Sequence, residues 1–333
     1  MLYNNRNIFV RVPLRISFCG GGTDFPVYYN KKEGHVVSAT INSYVYINLK
    51  DMFDTNVRVH HEIIETQSIT SRISNHYTRI ALEHFGLFKG IEAVITSDIM
   101  RTGSGLGGSS SLMAGLILAC AEYRNIHLKK REIAELCYQL ETKSGTVCGK
   151  QDQYAAVYGG FNSLYFNNKG IKIEPLKLPR SKLEELEDCL LLVYTNLARE
   201  SNEIQIEAFS ELPPQKEKYL DSLYSLSLAF KEELLSKNMK LKRLGKLLDE
   251  NWRLKRNLSP LSSNQYIDEL YKHLKRNGLS GGKIAGAGGG GFIIGFAQNK
   301  KIRDKIAHNL YPNFICLKSR FVEKGAEILW KNF

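Results

Sequence analysis

Three glycine-rich segments, set far apart in a chain of 333 residues, constrain this sequence more than any other feature: RVPLRISFCGGGTDF at 11–25, TGSGLGGSSSLMAG at 102–115 and GKIAGAGGGGFIIG at 282–295. Glycine loses more backbone freedom on ordering than any other residue. Runs of it inside apolar, β-branched text therefore persist where the backbone must turn tightly or lie against another backbone or a ligand. The first segment leaves a strand read from Phe9 to Phe18, the second precedes a helix starting near Ser109, and the third joins two apolar strands through a hinge.

The text between these segments alternates in kind. Val36 to Leu49, Val57 to Ile64, Ile91 to Thr96 and Leu190 to Tyr194 read as strands. Ser74 to Phe85, Lys130 to Ser144 and most of Pro214 to Leu274 read as helix, punctuated by Pro213, Pro214 and Pro260. The expectation is an α+β chain in two domains, 1–182 and 183–333, divided within the stretch from Pro175 to Asp188. Hydrophobic residues at 43% and charged residues at 24% exclude a disordered tail or a coiled coil.

The net charge of +12 favours anionic partners such as nucleotides, sugar phosphates or nucleic acid. It is spread along the chain without a basic arm or an RNP-like signature, so nucleic acid is not expected. Cys19, Cys120, Cys137, Cys148, Cys189 and Cys316 form no C-x-x-C pair and sit mostly in apolar runs, as buried thiols in a reducing compartment do. No basic-then-apolar leader opens the text, and its longest apolar stretch, Leu112 to Ala121, falls short of the roughly 20 residues a bilayer needs. A cytoplasmic protein without membrane contact is expected.

The second segment carries the clearest chemistry. Gly103, Gly105, Gly107 and Gly108 directly precede a helix start, where backbone N–H groups and the positive end of the helix dipole make a site for a polyphosphate. Ser109, Ser110 and Ser111 occupy the first turn, where one hydroxyl can cap the helix and another can face a phosphate-bound metal. Gly103, Gly105 and Gly108 also satisfy G-x-G-x-x-G, the dinucleotide fingerprint, and so raise a nucleotide-dependent oxidoreductase as a rival. That rival lacks the strand directly before the first glycine and the acid ending the next strand, and a Walker loop fails because no G-K-[ST] follows. Arg15 in the first strand and Asp24 after its glycines, which let a ligand sit against the backbone, read singly as a solvent-facing cation and a turn residue before they read as site residues. Glu141 and Asp152, in QLETKSGTVCGKQDQYAAVYGGF, could be the carboxylates that phosphoryl transfer requires, but taken alone they read first as a solvated helix face and an N-cap.

Taken in order and spacing, the three segments resemble the motifs of the GHMP kinases, the superfamily of galactokinase, homoserine kinase and mevalonate kinase, over nearly the whole chain. The resemblance implies a two-domain fold, ribosomal-protein-S5-domain-2-like and then ferredoxin-like, with the active site in the cleft. It implies ATP and magnesium as cofactors. Gly103, Ser104, Gly105, Leu106, Gly107, Gly108, Ser109 and Ser110 become the ATP phosphate loop, with Ser109 and Glu141 at the magnesium positions. Asp152 matches the proposed catalytic base, and Arg15 the neighbouring cation that favours its ionised form. Asp24 matches the sugar-binding aspartate, and Gly21, Gly22, Gly288 and Gly289 are the glycines expected along the substrate. Gly108 departs from the signature, which has serine there, and leaves Ser109 and Ser110 as alternatives for the metal.

Gly21 and Gly22 replace the Glu-His of galactokinase. PLRISFCGGGTD, GKQDQYAAVYGGFN and GGKIAGAGGGGF together resemble most the D-glycero-D-manno-heptose 7-phosphate kinases, with fucose-type kinases next. That likeness implies phosphorylation of an anomeric hydroxyl, with ATP and a sugar phosphate as partners. Arg199, Ser201, Lys255 and Arg256 are candidates for the sugar phosphate, each competing with an ordinary place on a solvated face. A catalytically silent sugar sensor is the remaining alternative, and monomer or homodimer stays open.

Overall fold

The protein is described from a computed structural model that covers residues 5–99, 103–198 and 201–332. Strand β1 (Asn7–Cys19) alternates half-buried and buried residues as far as Val12 and is buried throughout from there on. It passes there from a sheet with one wetted face into the centre of the molecule. After the single-turn helix α1 (Pro26–Tyr29), β2 (Gly34–Asp51) runs back beside β1 for almost its whole length. The stretch read as one strand from Val57 to Ile64 is two, β3 (Val57–His60) and β4 (Ile64–Gln67), turned back on each other. Helix α2 (His76–His84) begins at Asn75, whose side chain accepts from Thr78 N at 3.0 Å, and leads to β5 (Ile91–Ser97).

Three helices follow: α3 (Gly108–Tyr123), α4 (Lys130–Lys143) and α5 (Gln151–Tyr158). α3 is apolar almost all round, because β1 and β2 lie on one side of it and α2, α4 and α5 on the others. The hairpin β6 (Phe161–Asn167) and β7 (Gly170–Pro175) attaches to the first half of β2, whose second half pairs with β5.

Helix α6 (Arg180–Cys189) delivers the chain to a second sheet through β8 (Leu190–Tyr194), so the boundary expected at 182/183 falls inside a helix. Then come α7 (Ser201–Phe209), α8 (Pro214–Leu235), α9 (Leu241–Lys255) and α10 (Gln265–Arg276), the hairpin β9 (Leu279–Ile284) and β10 (Phe292–Ala297), α11 (Lys300–Leu310) and β11 (Cys316–Leu317). The last strand, β12 (Glu327–Asn332), returns to the first sheet and pairs antiparallel with β1.

The first sheet therefore runs β12-β1-β2-β5-β3-β4, with β6 and β7 branching from β2, and the second runs β11-β8-β10-β9 with every pair antiparallel. α8 and α9 lie between them: α8 packs on β1 and β2, α9 on β9 and β10. Phe18 of β1 stacks with Phe161 of β6, Phe230 of α8 and Phe296 of β10, at centroid separations of 5.5, 5.4 and 6.0 Å, and so joins both sheets through one ring cluster. Among the described residues no helix is long and apolar enough to cross a membrane.

Candidate active site

Arg15 does not face solvent. Its place in the buried half of β1 leaves the residue 3% exposed, and its guanidinium grips Asp152 with both arms: Nε donates to Oδ1 at 2.7 Å and Nη2 to Oδ2 at 2.5 Å. Its third arm, Nη1, donates to the carbonyl of Gly105 at 2.6 Å, and its backbone N–H to the carbonyl of Leu106 at 2.9 Å. Asp152 lies in the first turn of α5, which is capped by Lys150 without a side-chain bond. One residue thus ties the first glycine segment, the second and the second carboxylate into a single body.

Asp24 is buried on the other side of that pair. Its Oδ1 accepts from Gly22 N at 2.8 Å and its Oδ2 from Gln151 N at 3.2 Å, while Lys150 N donates to its backbone carbonyl at 3.1 Å. Burial pushes its carboxyl up from the usual range, against the two N–H donors and with the charge of Asp152 adding to the rise. A Cβ on Gly149 would stand 2.0 Å from Asp24 Oδ2, so glycine there is what lets the loop before α5 close on this carboxyl.

In the second segment Gly103, Gly105 and Gly107 all have positive φ, which coils the loop so that its carbonyls meet protein: Gly105 and Leu106 meet Arg15, and Ser104 accepts from Phe292 N at 3.1 Å. The N-cap of α3 is Gly107, so no serine caps this helix, and its first N–H groups have no intrahelical carbonyl to meet. The three serines diverge. Ser109 is exposed, Ser110 is buried, and Ser111 donates to Pro13 O at 2.9 Å. Both serines left open for the metal line one cavity with Glu141; Ser110 is the buried one, and its carbonyl accepts from Cys137 of α4.

Glu141 is 2% exposed and also accepts from Gln153 Nε2. Burial pushes its carboxyl up to about 7, opposed by the Gln153 and Ser110 hydrogen bonds. A carboxyl so raised, beside a hydroxyl on the rim of an anion cradle, gains from a divalent cation. This all-oxygen pair is what magnesium takes when phosphate oxygens complete its shell, and the residues fit that ion.

Two cavities meet here. One is walled by Gly103, Ser104, Gly105, Gly107 to Ser110, Glu141, Tyr77 and Asn75, while Leu106, expected in the same loop, points instead into the core; the other is walled by Asp24, Gln151, Lys255, Phe25 and Phe209; Arg15, Asp152, Gly286 and Ala287 line both. Gly288 and Gly289 lie outside this wall. Gly289 N donates to Ser262 O at 2.5 Å and a Cβ on Gly288 would stand 2.5 Å from the same oxygen, so the expected contribution of the third segment passes to Gly286 and Ala287.

Lys255 belongs to the second cavity, not to a solvated face: it ends α9, and its ammonium donates to the carbonyl of Gly286. Arg256 is at the surface, paired with Asp268 at 2.7 Å, whereas Arg199 and the side chain of Ser201 lie outside the described residues. Sequence reasoning also missed His61, Asn75 and Tyr77 on the first cavity. They come from strand and helix text with no glycine or repeat to mark them.

The family models for the GHMP kinases N terminal domain and the GHMP kinases C terminal match residues 72–160 and 230–314. D-glycero-alpha-D-manno-heptose 7-phosphate kinase of Campylobacter jejuni subsp. jejuni serotype O:2 is 35% identical over 89% of this chain and 91% of its own. The bifunctional fucokinase/GDP-fucose pyrophosphorylase of Arabidopsis thaliana is 26% identical over 92% of this chain and 32% of its own. A D-glycero-D-manno-heptose 1-phosphate kinase of Bacteroides thetaiotaomicron superposes with a TM-score of 0.78 at 23% identity, covering 98% of this chain and 99% of its own. The mixed α and β architecture, the glycine cradle at a helix start and these matches over both halves have one meaning: the chain belongs to the GHMP kinases, and among them to the sugar kinases.

Proposed function

We propose that this protein transfers the γ-phosphoryl group of ATP to the anomeric hydroxyl of a sugar, with D-glycero-D-manno-heptose 7-phosphate as the acceptor and the 1,7-bisphosphate as product. The observation that carries the reading is the shared wall of the two cavities: Arg15 and Asp152 stand where a nucleotide on the glycine cradle would meet a sugar beside Asp24. The 35% identity to the Campylobacter enzyme supports the choice of acceptor.

In this reading Asp152 receives the hydrogen bond of the acceptor hydroxyl and takes its proton as the bond to phosphorus forms and the bond to the β-phosphate oxygen breaks, releasing ADP. Arg15 holds both oxygens of Asp152 and fixes the direction of the attack. N–H groups at the start of α3 and the helix dipole stabilise charge on the transferring phosphoryl group. Ser110 and Glu141 are the residues that would hold magnesium, which supplies charge neutralisation at the phosphates. Asp24 orients the sugar. The protein works as a cytoplasmic enzyme, and its two units divide at the start of α6, just before the expected 182/183.

A second acceptor, a free sugar as in the fucokinases, is favoured by the apolar lining that Phe25, Phe209 and Leu258 give the second cavity. ADP release with ATP and magnesium, over a panel of heptose 7-phosphate, unphosphorylated heptose, mannose, fucose and galactose, separates the readings. The heptose 7-phosphate is expected to be preferred in kcat/KM. Preference for a free sugar transfers the assignment to the second acceptor, and silence over the panel removes both.

A further inference from the structure

Two of the three glycines that leave β1 are explained by the backbone. Gly20 has φ +88° and a Cβ there would lie 1.9 Å from His35 O; Gly22 has φ +113°. Gly21 has no such φ. What a Cβ on Gly21 would meet is the ends of three polar side chains: Gln151 Nε2 at 3.3 Å, Ser17 Oγ at 3.4 Å and Lys255 Nζ at 3.9 Å. These come from β1, the first residue of α5 and the last of α9, and all three side chains line the cavity of Asp24. Ser17 is 4% exposed, and neither its Oγ nor Gln151 Oε1 has a hydrogen-bond partner, although both atoms are buried. Buried polar atoms are ordinarily paired, and a polar group bound in the cavity that both residues line can supply the missing bonds.

We propose that Ser17, Gln151 and Lys255 form a subsite that reads hydroxyl groups of the acceptor next to the one phosphorylated, and that Gly21 is bare to admit them. The inference rests on the sugar-kinase reading above and adds to it the residues that select the acceptor. The chemistry points to hydroxyls over a phosphate group at this place. An unpaired carboxamide oxygen needs a donor, which a hydroxyl carries and a phosphate dianion lacks, while the serine and the ammonium can donate to the oxygen of a hydroxyl. Gln151 directly precedes Asp152, so the hydroxyls read here are those of the ring near its anomeric carbon, not the far end of a phosphorylated tail.

The test is steady-state kinetics of wild type, Gly21→Ala, Ser17→Ala and Gln151→Leu on the best acceptor of the sugar panel, with KM for ATP and the melting temperature recorded for each. Gly21→Ala is expected to lower kcat/KM for the acceptor about a hundredfold, and Ser17→Ala and Gln151→Leu to raise its KM about tenfold each, with KM for ATP unchanged. Monodeoxy analogues of that acceptor give the readout that a structural role would not move. The analogue lacking the hydroxyl read by Gln151 or Ser17 should lose rate with wild type and lose little more with the matching variant. Should Gly21→Ala fail to fold, the two truncation variants carry the test. A wild type active on sugars with variants of unchanged acceptor kinetics would overturn the subsite and leave the kinase standing. A wild type silent on every sugar would remove the kinase reading and the subsite together.

Discussion

A carboxylate held at both oxygens by one guanidinium has a single orientation, and Asp152 owes its place to Arg15 in that way. Asp152→Asn keeps the shape and removes the proton acceptor. Turnover is expected to fall by about two orders of magnitude or more with KM for ATP little changed, as coupled-assay kinetics would record. Arg15→Lys keeps the charge but loses the fork, so a loss of about tenfold or more in kcat is expected in the same assay, with KM for ATP within about threefold. Single residues were legible in the sequence only as members of an ordered set. Arg15, Asp24, Glu141 and Asp152 each had an ordinary reading taken alone. Ser110 could not be separated from Ser109 because what tells them apart is burial, and that is set by packing. Lys255 was one candidate among several basic residues near a helix end, and what text could not supply was its direction, toward the Gly286 carbonyl.

Elements announced themselves when their burial matched a period. β1, β2, β5 and β8 were legible by their apolar pattern, whereas β12, with four of its six residues exposed, gave no signal that it would complete a sheet. The seam between elements shows in the pH response. His35 on β2 lies between Ser227 of α8 and Ser163 of β6, at 2.7 and 2.6 Å. Ser227 donates its own proton to Tyr224 O, so its oxygen accepts from Nδ1–H while Nε2 accepts from Ser163. Burial, helped by Lys231, pushes the imidazole down to about 4. The unfolded chain therefore binds this proton first: the contribution of His35 to stability is complete above about pH 6.5 and is lost as pH falls toward 4. Glu141, pushed up to about 7, acts in the opposite direction. The diagnostic is thus the difference between wild type and His35→Gln in urea unfolding from pH 7.5 to 5, where the wild type should lose stability more steeply, by at most about 1.4 kcal/mol per pH unit.

Both sheets meet on Phe18, which is fully buried among rings of β6, α8 and β10. Phe18→Ala removes a ring that two sheets share and is expected to cost about 3–5 kcal/mol, read as a lower urea midpoint by circular dichroism. The mixed α and β character of the chain was legible because strand-like and helix-like text alternate along it. The path of the chain was not, since nothing in the text from 327 to 332 names β1 as its partner. That pairing, with Asn7 opposite Asn332, has a consequence for how the protein is made. As the chain leaves the ribosome, β1 and β2 can zip at once, yet the outer edge of β1 stays bare until the last strand has been synthesised. For that whole interval the nascent protein carries an open row of N–H and C=O groups that another unfinished chain can copy. A cell that makes this kinase quickly should find its early fragments caught by chaperones, and fragments that stop before residue 327 should be the ones that aggregate.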